Sequence, residues 1–538
     1  MTATALIIMR SAQPDTPLVL YSPPKKNSMH HSSRLTGFLS AFLLAGAHTA
    51  LADVTLPALI TDNMVLQQKS EVALWGWAAP GEAVTVTAGW AKKPVQATAD
   101  AQGNWLVRVP TTKAGGPYTL TVQGNNKLTV SNVLLGEVWL CSGQSNMAFP
   151  VAKGVSKWMT GVLNEAEVVP KATKPNIRMF TVAQRVSDEP QRDVQGSWVV
   201  CSPQTVGNFS AVAYFFGQEV QEKTGVPVGL IHSSWGGTPA ESWTRREVLE
   251  QNPTLLPILS RYADGLTQRP AYETALAAWK LEKERNPQTT QPKPSEPLSA
   301  TSNKSPAKLY NGMIRGLEPY TLRGTIWYQG ESNAERAYQY RTLFPAMIAS
   351  WRQAWQQPDM PFYFVQITPH KGQNPEIREA QLLSWQTVPH TGMVVTTDVG
   401  DSLDIHPRNK QAVGHRLALW ALRNEYGEKK LVTSGPIYKA LKIDKNTARL
   451  SFDYAEGLKA EGGALREFTV AGADGVFHPA QAAIEGNTVV VSSAQVLQPV
   501  AVRFGWRKSP MPNLFNAAGL PASPFRTDTW PTPTQDKK

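Results

Sequence analysis

The sequence predicts an α/β fold: a parallel sheet covered by helices on both faces, flanked at each end by a β-sandwich-like unit. Two observations carry that reading. Between about residues 133 and 428, short apolar runs alternate with helical patterns, as in a buried parallel sheet. On either side, at 53–132 and 429–538, short strands of period two separated by turn residues take over. The chain has 538 residues, 42% apolar and 18% charged, so packed cores are expected and a disordered chain is excluded.

The first 52 residues read as an upstream segment and a secretory signal peptide. Residues 1–28 match neither a targeting pattern nor a folded element, and Met29 is the expected start of translation. His30 to Arg34 is polar with one firm positive charge, Leu35 to Ala47 is apolar, and Ala50-Leu51-Ala52 has the small-residue form of a cleavage site. Cleavage after Ala52 is expected, leaving an exported protein, periplasmic or extracellular, that begins at Asp53. The apolar run is too short for a membrane span of about 20 residues, and no later stretch is long enough. No membrane insertion is therefore expected after cleavage.

In the N-terminal β unit, Glu82 to Ala88, Asn104 to Val109 and Tyr118 to Val122 alternate apolar and polar residues, with a turn at Gly124-Asn125-Asn126. The central region supplies apolar runs at Val133 to Cys141, Val226 to Ile231, Leu322 to Tyr328, Pro361 to Ile367 and Gly392 to Thr397. Helical patterns fall between them, at Ala211 to Lys223 and Tyr338 to Trp355. Residues 268–307 interrupt this rhythm. A charged helical piece, Tyr272 to Arg285, leads into a stretch rich in Pro, Thr, Ser, Gln and Lys, which reads as a partly mobile surface insertion. In the C-terminal unit, Ala448 to Phe452, Asn487 to Ser492 and Val500 to Phe504 are the clearest strands.

Composition removes several function classes. The net charge of +11 comes from scattered residues without a long block of one sign, so no nucleic-acid partner is expected. Two cysteines exclude a disulfide scaffold and Cys-rich zinc modules. An exported compartment permits a Cys141–Cys201 disulfide, and a buried free thiol at Cys141 fits its apolar strand equally well. Neither H-E-x-x-H nor C-x-x-C occurs, so no metal and no cofactor is expected.

Four polar clusters follow predicted strands, at the sheet end where open α/β folds bind ligands. Gly143-Gln144-Ser145-Asn146-Met147 presents a serine between small or flexible residues, where an exposed nucleophile and free backbone N–H groups can coexist. Ser234-Trp235-Gly236-Gly237-Thr238 lets the backbone approach a ligand and offer an N–H to an oxyanion. Gln329-Gly330-Glu331-Ser332-Asn333 supplies amide donors, although Ser332 or Asn333 fits a helix cap as well. Asp401-Ser402-Leu403-Asp404-Ile405-His406 supplies a general base with acids nearby.

In this order the motifs GQSNM, WGGTPAESW, WYQGESN and DIHPRNK resemble those of the sialate O-acetylesterase family, within the SGNH (GDSL-like) hydrolases. The resemblance covers about residues 133–425. It implies a three-layer α/β/α SGNH hydrolase domain and an exported serine esterase that removes O-acetyl groups from carbohydrate. It implies Ser145 as nucleophile, His406 as base and Asp404 as the acid, with Glu331 or Asp401 as alternatives. The implied oxyanion hole is the N–H groups of Ser145 and Gly237, or Gly236, with the Asn333 side chain, or Gln329. Two departures stand out: the acid lies two residues before the histidine where D-x-x-H is usual, and G-E-S-N replaces G-x-N-D.

The substrate side is read from aromatic residues. Trp235, Trp243 and Trp327 flank the motifs, where they either stack on a sugar or pack the sheet ends. Arg408 and Lys410 are candidates to meet a sugar carboxylate. Acetylated sialic acid, xylan or xyloglucan all fit the expected partner. The competing readings are a non-catalytic carbohydrate-binding protein and an SGNH esterase acting on lipid-like acyl groups. The latter would want a long apolar groove, whereas these loops are rich in Gly, Ser, Asn and Trp.

Overall fold

A computed structural model describes residues 53–538 except Val155; the signal peptide and cleavage site expected within 1–52 lie outside the described residues. The central sheet is built from β1 (Lys127–Gly143), β2 (Lys174–Thr181), β3 (Trp198–Cys201), β4 (Val228–Ser234), β5 (Gly324–Tyr328), β6 (Phe362–Val365) and β7 (Thr391–Val394). Their spatial order is β7-β6-β5-β1-β4-β2-β3. All neighbours are parallel except β3, which closes one edge antiparallel to β2. Residues in β4 to β7 are buried along their whole length, which explains why their sequences are nearly continuous apolar runs.

The main helices are α1 (Ser145–Ala148), α2 (Ala211–Thr224), α3 (Leu256–Arg285), α4 (Ala337–Ala354), α5 (Pro375–Thr387) and α6 (Lys410–Glu425). Two large apolar cores surround the sheet. One gathers Met347, Trp351 and Ile377 from α4 and α5; the other gathers Val212, Phe216, Val413 and Leu417 from α2 and α6. That is the expected layering of helices on both faces.

Strand β1 is unusually long because it serves two structures. Its first half pairs antiparallel with Gly115–Gln123 of the N-terminal β unit, and its second half lies at the centre of the parallel sheet. The expected boundary at 132/133 therefore falls within a continuous strand. The C-terminal unit holds two four-stranded antiparallel sheets around a core that includes Leu450, Val470, Val491 and Phe504. It docks on α5: Arg526 pairs with Glu379 at 2.7 Å, and Gln366 donates to Ser523 at 3.0 Å.

The insertion differs in one respect from its sequence reading. Its helix begins at Leu256, well before Tyr272, and accommodates Pro270. The chain from 286 to 306 forms no helix or strand and folds back along α3. Trp279 donates its indole N–H to the Gln291 carbonyl at 3.0 Å, and Arg269 pairs with Glu296 at 2.9 Å. Cys141 and Cys201 are both buried free thiols. Among the described residues, no helix is long and apolar enough to cross a membrane.

Candidate active site

The four sequence clusters converge at the carboxyl end of the sheet. β1 ends in Gly143, at φ +141°, where a Cβ would sit 2.2 Å from the Tyr328 carbonyl oxygen. Only glycine lets the chain leave the strand there and enter α1 with Ser145 as its first residue. Ser145 Oγ lies 2.9 Å from His406 Nε2. His406 comes from the loop between β7 and α6, so the central strand and an edge strand supply the pair. This spacing fits direct proton transfer from hydroxyl to imidazole.

Burial tunes the histidine. Its side chain is 15% exposed, and the Trp158 ring lies over it with centroids 4.9 Å apart. Loss of solvent, and then the nearby Lys410 charge, hold His406 down at about 4. It is therefore neutral, and able to accept a proton, throughout the neutral range. Trp158 carried no motif in the sequence and was not among the expected site residues; its position beside the histidine follows from a loop that periodicity does not describe.

The acids separate clearly. Asp404 Oδ1 is 3.8 Å from His406 Nδ1 and accepts the His406 backbone N–H at 2.8 Å. Among the described residues, no other carboxylate oxygen comes within 4.0 Å of that ring. Glu331 turns elsewhere, accepting from Asn146 Nδ2 at 2.7 Å. Asp401 accepts the Leu403 backbone N–H at 2.7 Å and makes a local turn. Neither alternative acid holds the imidazole.

The glycine pair lies against the serine. A Cβ on Gly236 would meet the Ser145 Cβ at 3.2 Å, so any side chain there would press on the hydroxyl-bearing carbon. Gly237, at φ +74°, faces open space. Among the described residues, the backbone N–H groups of Ser145, Gly236 and Gly237 have no protein acceptor. They remain available to an anion.

The expected amide donors are partly engaged within the protein. Asn333 Nδ2 donates to Glu241 at 2.7 Å, and its Oδ1 accepts from the Ala240 N–H at 2.9 Å and from Gln329 at 2.7 Å. Gln329 Nε2 is used on Asn333 and on the Thr238 carbonyl, 3.3 Å away. Both side chains brace the glycine loop, through the Ala240 N–H and the Thr238 carbonyl. The reason is Glu241, 4% exposed, whose carboxylate needs buried donors.

The tryptophans need a similar correction. Trp243 and Trp327 are fully buried and pack edge to face, with centroids 6.1 Å apart. Neither can touch a sugar. Trp235 is only partly buried and remains the one of the three with an open face. Arg408 is exposed and donates Nε and Nη2 to the carbonyls of Gly161 and Val162, at 2.8 and 2.9 Å. Lys410 is fully buried and cannot meet a sugar carboxylate. A cleft of about 550 Å³ opens beside Gly237 and Ser332, walled by Arg261 and Asp264 of α3 and by Leu298 and Lys304 of the insertion.

Comparison with known proteins identifies the family. The family profile described as "carbohydrate esterase, sialic acid-specific acetylesterase" matches residues 135–281 and 297–423, leaving the middle of the insertion unmatched. The sialate O-acetylesterase of Rattus norvegicus is 31% identical over 452 residues, covering 75% of this chain and 79% of the relative. That of Mus musculus is 32% identical over 444 residues with the same coverage. A carbohydrate acetylesterase from Xanthomonas citri, solved by crystallography, is 38% identical and superposes with a TM-score of 0.75, over 89% of this chain and 100% of that one. The chain thus belongs to the sialic acid-specific acetylesterase family of carbohydrate esterases, and is a carbohydrate O-acetylesterase.

Proposed function

We propose that this chain is an exported serine esterase that deacetylates sialic acid or a plant polysaccharide such as xylan or xyloglucan through an acetyl-enzyme. The observation that carries the reading is the 2.9 Å contact between Ser145 Oγ and His406 Nε2 beside an open cleft. Ser145 Oγ attacks the acetyl carbonyl carbon while His406 takes its proton. The bond from that carbon to the sugar oxygen breaks, and the imidazolium returns the proton to the departing hydroxyl. Water then gives a proton to His406 as its oxygen bonds the acyl carbon; the bond from that carbon to Ser145 Oγ breaks, acetate leaves, and the imidazolium returns the proton to Oγ. Backbone N–H groups of Ser145 and Gly237, with Gly236 as the alternative, hold the oxyanion.

Asp404 is the third member, acting on the imidazolium by charge across 3.8 Å. The sugar occupies the cleft beyond Gly237, with Trp235 as a stacking face. Support for a carbohydrate alcohol comes from the relatives, which are named as sialate O-acetylesterases, and from the Xanthomonas citri carbohydrate acetylesterase.

The test is acetate release by the protein from Asp53 onward, with Ser145→Ala beside it, on acetylated sialic acid, acetylated xylan and acetylated xyloglucan. Release from one of them, lost in the variant, supports the mechanism and names the substrate. Cleavage of an aryl acetate alone keeps the chemistry and discards these sugars. Faster turnover of octanoyl than acetyl esters contradicts the acetyl specificity.

A further inference from the structure

Behind the Ser145–His406 pair lies a buried polar cluster that the reaction above does not use. Asn146, immediately after the nucleophile, is fully buried. Its Nδ2 donates to Glu331 Oε1 at 2.7 Å and to the Ile405 carbonyl at 3.0 Å; its Oδ1 accepts from Lys410 Nζ. One carboxamide thus ties the end of β1 to three other segments: the turn after β5, the residue before His406, and the first turn of α6. Both amide hydrogens and the carbonyl oxygen are engaged.

The anchors sit in unfavourable places. Lys410 is a cation at a helix N-terminus, where the backbone dipole repels it, and it is fully buried. Its ammonium lies over the rings of Phe149 and Tyr328, 4.7 and 5.5 Å from their centroids. Glu331 keeps one buried oxygen, Oε2, without a partner. Asp404, by contrast, has a half-exposed side chain, and its closest contact to His406 is with the backbone. A solvated carboxylate 3.8 Å from the ring is a weak clamp.

We propose that Asn146, anchored by Glu331 and Lys410, is the positioning residue that holds the His406 loop against Ser145. The proposal rests on the Ser145–His406 reading above.

The experiment is steady-state hydrolysis of an aryl acetate across pH by the chain from Asp53 onward, with melting temperature recorded for each variant. Asn146→Ala is expected to lower kcat by about 100-fold with KM nearly unchanged, the cost of a displacement of about 1 Å at a reacting pair. Asp404→Asn is expected to cost less than Asn146→Ala. Lys410→Met, which removes one anchor of Asn146, is expected to lower kcat in the same direction by a smaller factor, again with KM nearly unchanged, a split that a merely structural lysine would not give. The proposal is overturned if folded Asn146→Ala keeps wild-type kcat, or if Asp404→Asn costs more than it does. It is overturned equally if folded Lys410→Met keeps wild-type kcat, which decides the matter should Asn146→Ala not fold. Ser145→Ala in the same assay separates the two levels: activity surviving there refutes the serine mechanism itself.

Discussion

Strand β1 meets two buried carboxylate networks, one where it enters the parallel sheet and one beyond its end, and the two are built differently. Where it enters, Glu137 is 1% exposed and accepts from Gln68 at 2.7 Å, Arg323 at 2.7 Å, Gln67 at 3.1 Å and Tyr426 at 3.2 Å. Both of its oxygens are satisfied. Beyond its carboxyl end, Glu331 has one oxygen on Asn146 and one with nothing, while burial pushes its carboxyl up and the neighbouring Lys410 down to about 7. The first network holds the sheet to the N-terminal β unit and to α6. The second leaves polar capacity unspent next to a reacting pair. A saturated network is what stability selects; an unsaturated one marks where chemistry is done.

This contrast can be broken from either end. Ser145→Ala should remove activity by about 10⁴-fold or more while leaving the melting temperature unchanged or higher, measured by aryl acetate turnover and thermal unfolding. Glu137→Ala should do the reverse. It leaves half-buried Arg323 and the buried Gln67 amide without their acceptor and should cost about 1–3 kcal/mol in denaturant unfolding, with kcat of the folded fraction retained. If Glu137→Ala instead abolished turnover in folded protein, the division of labour between the two ends would be wrong.

Acid titration sharpens the comparison, because its sensitive groups sit at the carboxyl end. His232, at the end of β4, is 7% exposed and held down at about 4 by burial, and His406 is held at about 4 as well. Both bind protons more weakly folded than unfolded, so their contribution to stability is complete above about pH 6.5 and is lost as pH falls toward 4. For His232 the loss is on the order of 3 kcal/mol. Unfolding free energies at successive pH values should show this decline, and His232→Asn should flatten it. The smallest effect expected is that of Trp158→Phe. Keeping a ring over His406 should leave the acid limb within about half a pH unit, whereas Trp158→Ala should admit water and raise it further.

Much of the fold was legible because burial on both faces writes apolar runs into a parallel strand. The stretches at 226–231, 322–328, 361–367 and 392–397 were recognisable for that reason. β2 was not, because Lys174-Pro175-Asn176 and Arg178 break the apolar pattern; Arg178 is nevertheless buried, donating to the carbonyls of Pro175, Asn63 and Asn132. The start of α3 was missed because Pro257, Gly265 and Pro270 are residues that usually mark turns or helix ends. At the site, Ser145, His406 and the glycine pair could be found by residue type and order. The direction of a side chain could not. Asn333 and Trp327 sit in the right motifs, yet Glu241 captures one and the core buries the other. Trp158 stood outside every motif.

The most direct test is mass spectrometry of the chain mixed rapidly with an acetyl ester and quenched in acid. The account predicts a mass gain of one acetyl group on the peptide containing Ser145, absent in Ser145→Ala and slow to form in His406→Ala. Acetate released at full rate with no acetyl on Ser145, or with Ser145→Ala still active, would contradict it.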